Sequence, residues 1–485
     1  MSKRKRAIPD PSRHDRYDNP LATRYASGEM LRIFSARHRT ATWRRVWVAL
    51  AESQRALGLK ITPAQIAAMR RAVDDIDFAA AARYEKQTRH DVMAHIHAFG
   101  DAAPAARGII HLGATSMDVV DNADLVIMRE ALTLLLGRLI AAAAALADFC
   151  EKYATLPALG YTHLQPAQLT TVGKRAALWL HDLMLDLRRI EAARDGLACR
   201  GLRGATGTQA SFLALLGSAD KVEWLERRFA RSLGFERCYS VSGQTYSRKI
   251  DIEIIDALGS FASGVHRICN DIRLLAMVKE MDEPFESTQV GSSAMPYKRN
   301  PARSERATGL ARYLMSLTSS PAMTHAAQMF ERTLDDSSNK RLVVPEAFLT
   351  ADALAILLHN IFDGLVVYEA TIAARVQAEL PFIATENILM AAVALGGDRQ
   401  ELHERIRSHS QAAGEQVKRY GRPNDLIERL RGDVAFSGVR WARLLDARRY
   451  VGLAPQQTRR FLRADVRPWL RKRSKLAIRP PALSV

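Results

Sequence analysis

An all-α fold built on long helices, in a chain of three domains, is what the sequence predicts. Three observations predict it. Alanine and leucine dominate many segments while only 7% of residues are aromatic, a balance that favours helices over sheets. Apolar residues recur in helical stripes over long segments, separated by short polar breaks. A chain of 485 residues that is 48% hydrophobic has the length for about three domains and a large core. Long striped rods with polar interruptions pack as an elongated helical bundle.

The elements follow in order. Residues 1–20, MSKRKRAIPDPSRHDRYDNP, predict a basic disordered arm; they hold no apolar run, so they are no secretory signal. An N-terminal helical domain spans 21–115. Within it a stripe covers 41–57, Thr62-Pro63 opens another helix, and 85–100 reads as one helix stopped by Gly100. HLGATSMDVVDNAD (111–124) is a polar break before a long helix at 125–153. The segment LPALGYTHLQPAQLT reads as a turn, followed by a second long helix at 168–198. A glycine-rich break, LRGATGTQASF (202–212), precedes a third at 248–280, with others at 302–320 and 340–367. The central bundle is thus expected over 116–367. Residues 368–485 carry shorter helices, broken at 396–397 and 421–423, and predict a C-terminal helical domain with a basic tail. The most apolar run, ALTLLLGRLIAAAAALADF, is interrupted by Arg138. It falls short of the roughly 18 uninterrupted apolar residues of a membrane span, so no membrane is expected and the chain is read as cytoplasmic.

Composition narrows the chemistry. Cys150, Cys199, Cys238 and Cys269 form no CxxC pair, which argues against a zinc ribbon or redox motif. The net charge of +18 admits nucleic acid, anionic substrates or a solvated basic surface. Basic residues concentrate at the two ends, in KRKR (3–6) and RADVRPWLRKRSKLAIRPP (463–481). No zinc finger or RNP pattern accompanies them, so a nucleic-acid partner is not expected.

Five polar clusters break the apolar pattern: TRHD (88–91), GATSMD (113–118), GYTHLQPAQ (160–168), GSSAMPYKRNP (291–301) and ERTLDDSSNKR (331–341). Bundles build sites where such segments meet. His163 precedes Gln165-Pro166 at what reads as a helix-entry turn. A histidine exchanges protons at neutral pH, but a structural imidazole bonded to backbone has the same sequence appearance, and the same holds for His90. His90, His95 and His97 do not share a helix face, and no HExxH pattern is present, so no metal is expected. Ser292 and Ser293 fit either turn chemistry or a hydroxyl made basic by nearby donors such as Lys298 and loop N–H groups. No GxSxG elbow supports a hydrolase. Arg306, Arg332 and Arg341 suit a substrate with several negative charges, or are surface charges. GLRGATG (201–207) lacks a preceding strand and a Walker loop is absent, which argues against a nucleotide-phosphate fingerprint.

GSSAMPYKRNP resembles the signature loop of the fumarase/aspartase superfamily, and GATSMD and GYTHLQPAQ resemble its other two segments in the right order. RYASGEM (24–30), TRHDVMAHIHAFG (88–100), GATGTQASF (204–212), GQTYSRKIDIE (243–253) and ERTLDDSSNKR are similar to the adenylosuccinate lyases, in their animal-type branch. The likeness runs from about residue 20 to 465. It implies a fumarase/aspartase-like fold in three domains, a homotetramer with sites shared by three subunits, and no cofactor. The implied reaction eliminates fumarate from adenylosuccinate to give AMP, and from SAICAR to give AICAR, through an aci-carboxylate. Carried over by position, Ser292 is the implied base and His163 the acid, with His90 assisting. Lys298 and Asn300 are implied to stabilise the intermediate, and Thr162 to hold a succinyl carboxylate. Arg24, Tyr25, Arg89, Asp91, Thr115, Ser116, Gln244, Arg306, Arg332, Ser337 and Arg341 complete the implied binding set. Argininosuccinate lyase or fumarase chemistry, and a non-catalytic basic nucleic-acid-binding relative, are the alternatives. The arginines suited to phosphate argue against the former, and the intact His163, Ser292 and Lys298 against the latter.

Overall fold

The computed structural model describes residues 15–483; the predicted arm at 1–20 falls mostly outside them. The N-terminal part holds a short π-helix over Leu21–Tyr25 and then α1 (Gly28–Ile33), α2 (Ala36–Ala56), α3 (Pro63–Arg71), α4 (Phe78–Thr88) and α5 (Asp91–Ala102). The Thr62-Pro63 start is a full capping box: the Thr62 hydroxyl takes the Gln65 N–H and the Gln65 side chain takes the Thr62 N–H. The helix expected over 85–100 is instead two helices. Arg89 turns left-handed (φ 55°) at the end of α4, and His90 caps α5 by accepting the Met93 N–H. A capping side chain competes with the helical ladder for that N–H, which periodicity alone does not register.

Five long rods form the centre: α6 (Ser116–Lys152), α7 (Val172–Gly196), α10 (Lys249–Met277), α11 (Ala302–Leu317) and α13 (Asp335–Gly364), with α8 (Ala210–Leu216), α9 (Ala219–Ser232) and α12 (Ser319–Ala326) beside them. α6 packs on α7 and α13, and α10 packs on α7, α11 and α13. Two rods begin earlier than the periodicity suggests. α6 starts at Ser116 because Asp118 reaches back to the Thr115 N–H (2.8 Å). α13 takes in 335–341, so the polar DDSSNKR stretch is about two turns of helix rather than a break. α6 and α13 are long and apolar enough to cross a membrane by composition, yet 67% and 72% of their most apolar windows are buried inside the protein. Their apolarity is that of a bundle core.

The turn expected at LPALGYTHLQPAQLT is an antiparallel hairpin, β1 (Pro157–Thr162) and β2 (Gln165–Thr171), so α7 starts at Val172 rather than 168. Thr162 pairs with Gln165, leaving His163 and Leu164 as a two-residue tip. A second small ladder joins β3 (Met281–Asp282) to β4 (Val366–Val367). After β4 come α14 (Glu369–Ile383), α15 (Thr385–Val393), α16 (Arg399–Tyr420) and α17 (Leu426–Gly432). Residues between 384 and 439 form a small separate core, whereas one large core joins the N-terminal helices to the bundle. The chain then returns to the bundle: Val451, Leu462 and Val466 are buried in the large core.

Candidate active site

The serine loop is a neck with a tip. At its base the Asn300 amide donates to the Gly291 carbonyl (2.8 Å). A side chain at 291 would put its Cβ 2.0 Å from the Lys298 carbonyl oxygen, so only glycine lets the two arms approach. Its exit is anchored by Glu283, whose carboxylate accepts the N–H groups of Arg303 (2.7 Å) and Ser304 (2.9 Å) at the start of α11. Within the loop the Ser292 hydroxyl oxygen accepts from the N–H groups of Ala294 (3.3 Å) and Met295 (3.1 Å). That is turn chemistry and also a field of two donors on one oxygen, which favours its deprotonated form. Ser293 and Lys298 are exposed. Both readings of the serine pair therefore coexist in one geometry.

His163 stands at the hairpin tip, with φ 53°, and Leu164 follows at 59°. Two-residue tips of this hand normally carry Asn-Gly. Non-glycine residues there cost about 1–2 kcal/mol each and cluster at functional sites. His163 and Thr162 are exposed. The hairpin beneath is held firmly. Arg375 donates to the Tyr161 hydroxyl (3.2 Å) and to Glu280 (2.9 Å), and Arg175 donates to the Leu159 carbonyl.

A third cluster forms where the α4–α5 corner meets α6 and α13. The His90 Nδ1 accepts from Met93, so its proton sits on Nε2, which faces the Ser116 hydroxyl at 3.4 Å. Arg341 donates to Asp91 (2.6 Å). Burial alone would raise the Asp91 carboxyl, but the Arg341 and Val92 donors outweigh it and hold it below its ordinary range. Arg332, Ser337 and Arg341 line one cavity of about 140 Å³ together with Arg39, Arg248 and Lys340. Pro345 lies on its wall and, lacking an N–H, releases the Arg341 carbonyl from the helix ladder. Arg24, Tyr25 and Arg306 line a second cavity of about 200 Å³. Gln244 plays a bridging part: its backbone N–H donates to Glu331 (3.0 Å) and its side chain to Ala205 (3.0 Å). Arg89 is exposed at the corner and Thr115 is the cap residue of α6.

Behind these groups lies a buried ionic layer that the sequence reading left out. Asp118, fully buried, accepts from Arg200, from the Arg203 N–H (2.8 Å) and from the Gly204 N–H (3.1 Å). Arg248 bridges Asp121 (3.2 Å) and Asp336 (2.6 Å). Lys340 reaches Asp124 (3.2 Å) and the Tyr246 hydroxyl (2.9 Å). Burial would push the Asp121 carboxyl up, but Arg248, Lys340 and Arg200 hold it below the carboxylate range. The available signal was charged residues inside apolar rods, which are rarely buried unless paired. Among the described residues no group of three or more His, Cys, Asp or Glu is placed to hold a metal ion; His95 and His97 pack against the rings of Trp43 and Tyr84.

Within one chain the geometry joins His90, Asp91, Ser116 and Arg341, and separately Arg24, Tyr25 and Arg306. Among the described residues no hydrogen bond links His163 or the serine loop to His90, Asp91, Ser116 or Arg341.

Residues 26–315 match the family described as Lyase, and 381–461 the family described as adenylosuccinate lyase C-terminus. The adenylosuccinate lyase of Saccharomyces cerevisiae is 52% identical over 460 residues, covering 93% of this chain and 95% of that protein. That of Schistosoma mansoni is 46% identical, covering 94% and 96%. Among solved structures, the 3-carboxy-cis,cis-muconate lactonizing enzyme of Pseudomonas putida superposes with a TM-score of 0.79 at 24% identity, over 92% of this chain and 98% of that one; this likeness concerns the fold.

Proposed function

The chain belongs to the adenylosuccinate lyase family of the fumarase/aspartase superfamily, and from that premise we propose how its residues divide the work. The enzyme is a lyase of purine nucleotide synthesis that releases fumarate from adenylosuccinate, leaving AMP; SAICAR is its second substrate. Ser292, as alkoxide, takes a proton from the succinyl carbon next to a carboxylate. The electron pair moves into that carboxylate as an aci-carboxylate, which Lys298 and the loop N–H groups stabilise. The pair then returns to form the fumarate double bond as the C–N bond breaks, and His163 gives its proton to the departing nitrogen. Asn300 acts at the loop neck, keeping Ser292 and Lys298 on one side of it. His90, oriented by Met93 and Ser116, assists. Arg332, Ser337 and Arg341, with Arg24, Tyr25 and Arg306, take the anionic ends of the substrate. Arg89, Asp91, Thr115, Thr162 and Gln244 frame the rest.

The observation that carries the base assignment is the pair of backbone N–H groups on the Ser292 oxygen. Ser292→Ala and His163→Ala are each expected to lower turnover by about 10³-fold or more, the scale of losing a proton-transfer group, with melting temperature unchanged. The fall in adenylosuccinate absorbance reads the rate, and near-normal rates in either variant would remove that residue from the mechanism.

A homotetramer with sites drawn from three subunits fits two features. Among the described residues no hydrogen bond joins His163, Ser292 and His90 to one another, and Leu178, Leu185, Leu274 and Met277 lie exposed along α7 and α10, the mark of an interaction surface. All four cysteines are unpaired, as a reducing cytoplasm leaves them.

A further inference from the structure

We propose that the C-terminal strap, residues 473–483, is a working wall of the cavity holding the substrate's phosphate. The inference rests on the reading that Arg24 and Arg306 take that phosphate. Opposite Arg24, Tyr25 and Arg306, the cavity is lined by Pro481, Ala482 and Leu483. These residues lie far along the chain from the catalytic segments and belong to none of the polar clusters.

The strap is built into the fold rather than draped over it. Arg473 donates through two nitrogens to the Glu191 carboxylate, both at 2.6 Å, a fork geometry that fixes direction as well as distance. Its guanidinium also lies 3.9 Å over the Trp469 ring. Further on, the Ile478 N–H donates to the Gly137 carbonyl in α6 (3.0 Å). A Cβ at Gly137 would stand 2.5 Å from the Leu476 carbonyl, so the missing side chain is what seats the strap on the rod. Pro480-Pro481 then carries the chain across with little conformational freedom and no N–H to satisfy. Leu483 packs against the large core, and the outward sides of Pro481 and Ala482 face solvent.

An apolar wall beside two guanidinium groups displaces water from around them. An arginine–phosphate contact strengthens as its surroundings become less polar. Among the described residues the strap's hydrogen bonds to the bundle run to Glu191 and Gly137 and none to His163 or the serine loop, so its effect falls on binding, in ground state and transition state alike. Adenylosuccinate and SAICAR carry the same phosphoribosyl group, so both feel it equally.

The test uses the full enzyme, a chain ending at Arg479, and Leu483→Asp, with Arg24→Met in parallel. The shortened chain keeps the Glu191 and Gly137 anchors, and the point variant covers the case in which shortening unfolds the protein. Uniform binding loss raises KM without changing kcat. The expected result is a KM rise of about fivefold or more, by the same factor for both substrates, with kcat changed less than about twofold. Leu483→Asp, which sets a carboxylate beside the arginines, is expected to raise KM further. An unchanged KM overturns the inference if Arg24→Met raises it. A lowered KM overturns it too, and identifies the strap as a plug. If Arg24→Met also leaves KM unchanged, the phosphate reading of the cavity fails and the inference falls with it.

Discussion

At Gly291 the serine loop doubles back until one backbone arm touches the other, and this single missing side chain sets the shape of the tip. Gly291→Ala would place a Cβ 2.0 Å from the Lys298 carbonyl oxygen, a contact only backbone movement relieves. The neck must open, the Asn300 bond to the Gly291 carbonyl is lost, and Ser292 moves relative to Lys298. A displacement of about 1 Å at reacting groups costs on the order of 10²-fold in rate. Turnover is therefore expected to fall by about that factor while the melting temperature stays near wild type, because the loop adds little to the core. Paired turnover and thermal melts check it. The serine pair and Lys298 were readable from sequence because loops crowded with donors stand out against apolar rods. Why Gly291 must be glycine was not, because its neighbour lies seven residues on and meets it only when the loop folds.

The long rods are tied to one another by buried charge. Arg248 at the start of α10 holds Asp121 of α6 and Asp336 of α13. Arg248→Met would leave two carboxylates in the core without their shared partner, a change expected to cost about 3–5 kcal/mol. Equilibrium denaturant unfolding measures it, and a loss under about 1 kcal/mol would show that Lys340 and Arg200 suffice. On the other side of α10, Asp186 of α7 accepts from the Ser260 hydroxyl (2.9 Å). Gly264 makes room there: a Cβ would come 3.0 Å from the Asp186 carboxylate. Burial, reinforced by nearby Asp182, pushes the Asp186 carboxyl up from 3.8 to about 6. A carboxyl raised in this way favours the folded state only while protonated. Its contribution is full below pH 3.8, falls as pH rises to about 6, and is gone above that. Asp186→Asn is therefore expected to be more stable than wild type at pH 7, by about 2–3 kcal/mol for a shift of this size, with the gap closing toward pH 4. Melting curves across that range decide it. At this scale the rods themselves were legible, since their stripes repeat over many turns. Their ends were not. Asp118 extends α6 backward to Ser116, His90 splits one expected helix into two, and a hairpin replaces the turn before α7, each through a side chain or pairing that periodicity does not record.

Taken whole, one chain carries every piece of the proposed site and brings together only some of them. Subunit exchange tests whether assembly supplies the rest. Inactive His163→Ala and Ser292→Ala enzymes, mixed under conditions that exchange subunits, are expected to recover up to about a quarter of wild-type activity, since chance assembly gives some sites both intact residues. No recovery after exchange is verified by mass would place each site within one chain. The net charge of +18 is partly answered on the surface, where Arg459 faces Glu151, Arg467 faces Asp148 and Arg473 grips Glu191. Sequence by itself determined the helical class, the order of the rods and where the polar segments proposed to carry the chemistry interrupt them, because apolar periodicity and donor-rich breaks are local properties of the chain. Tertiary structure alone decided which charges are buried as pairs, which histidine caps a helix and which tops a hairpin, and that residues 481–483 return to face Arg24. Those outcomes depend on contacts across tens to hundreds of residues, and no local pattern encodes a contact whose partner arrives only when the bundle closes.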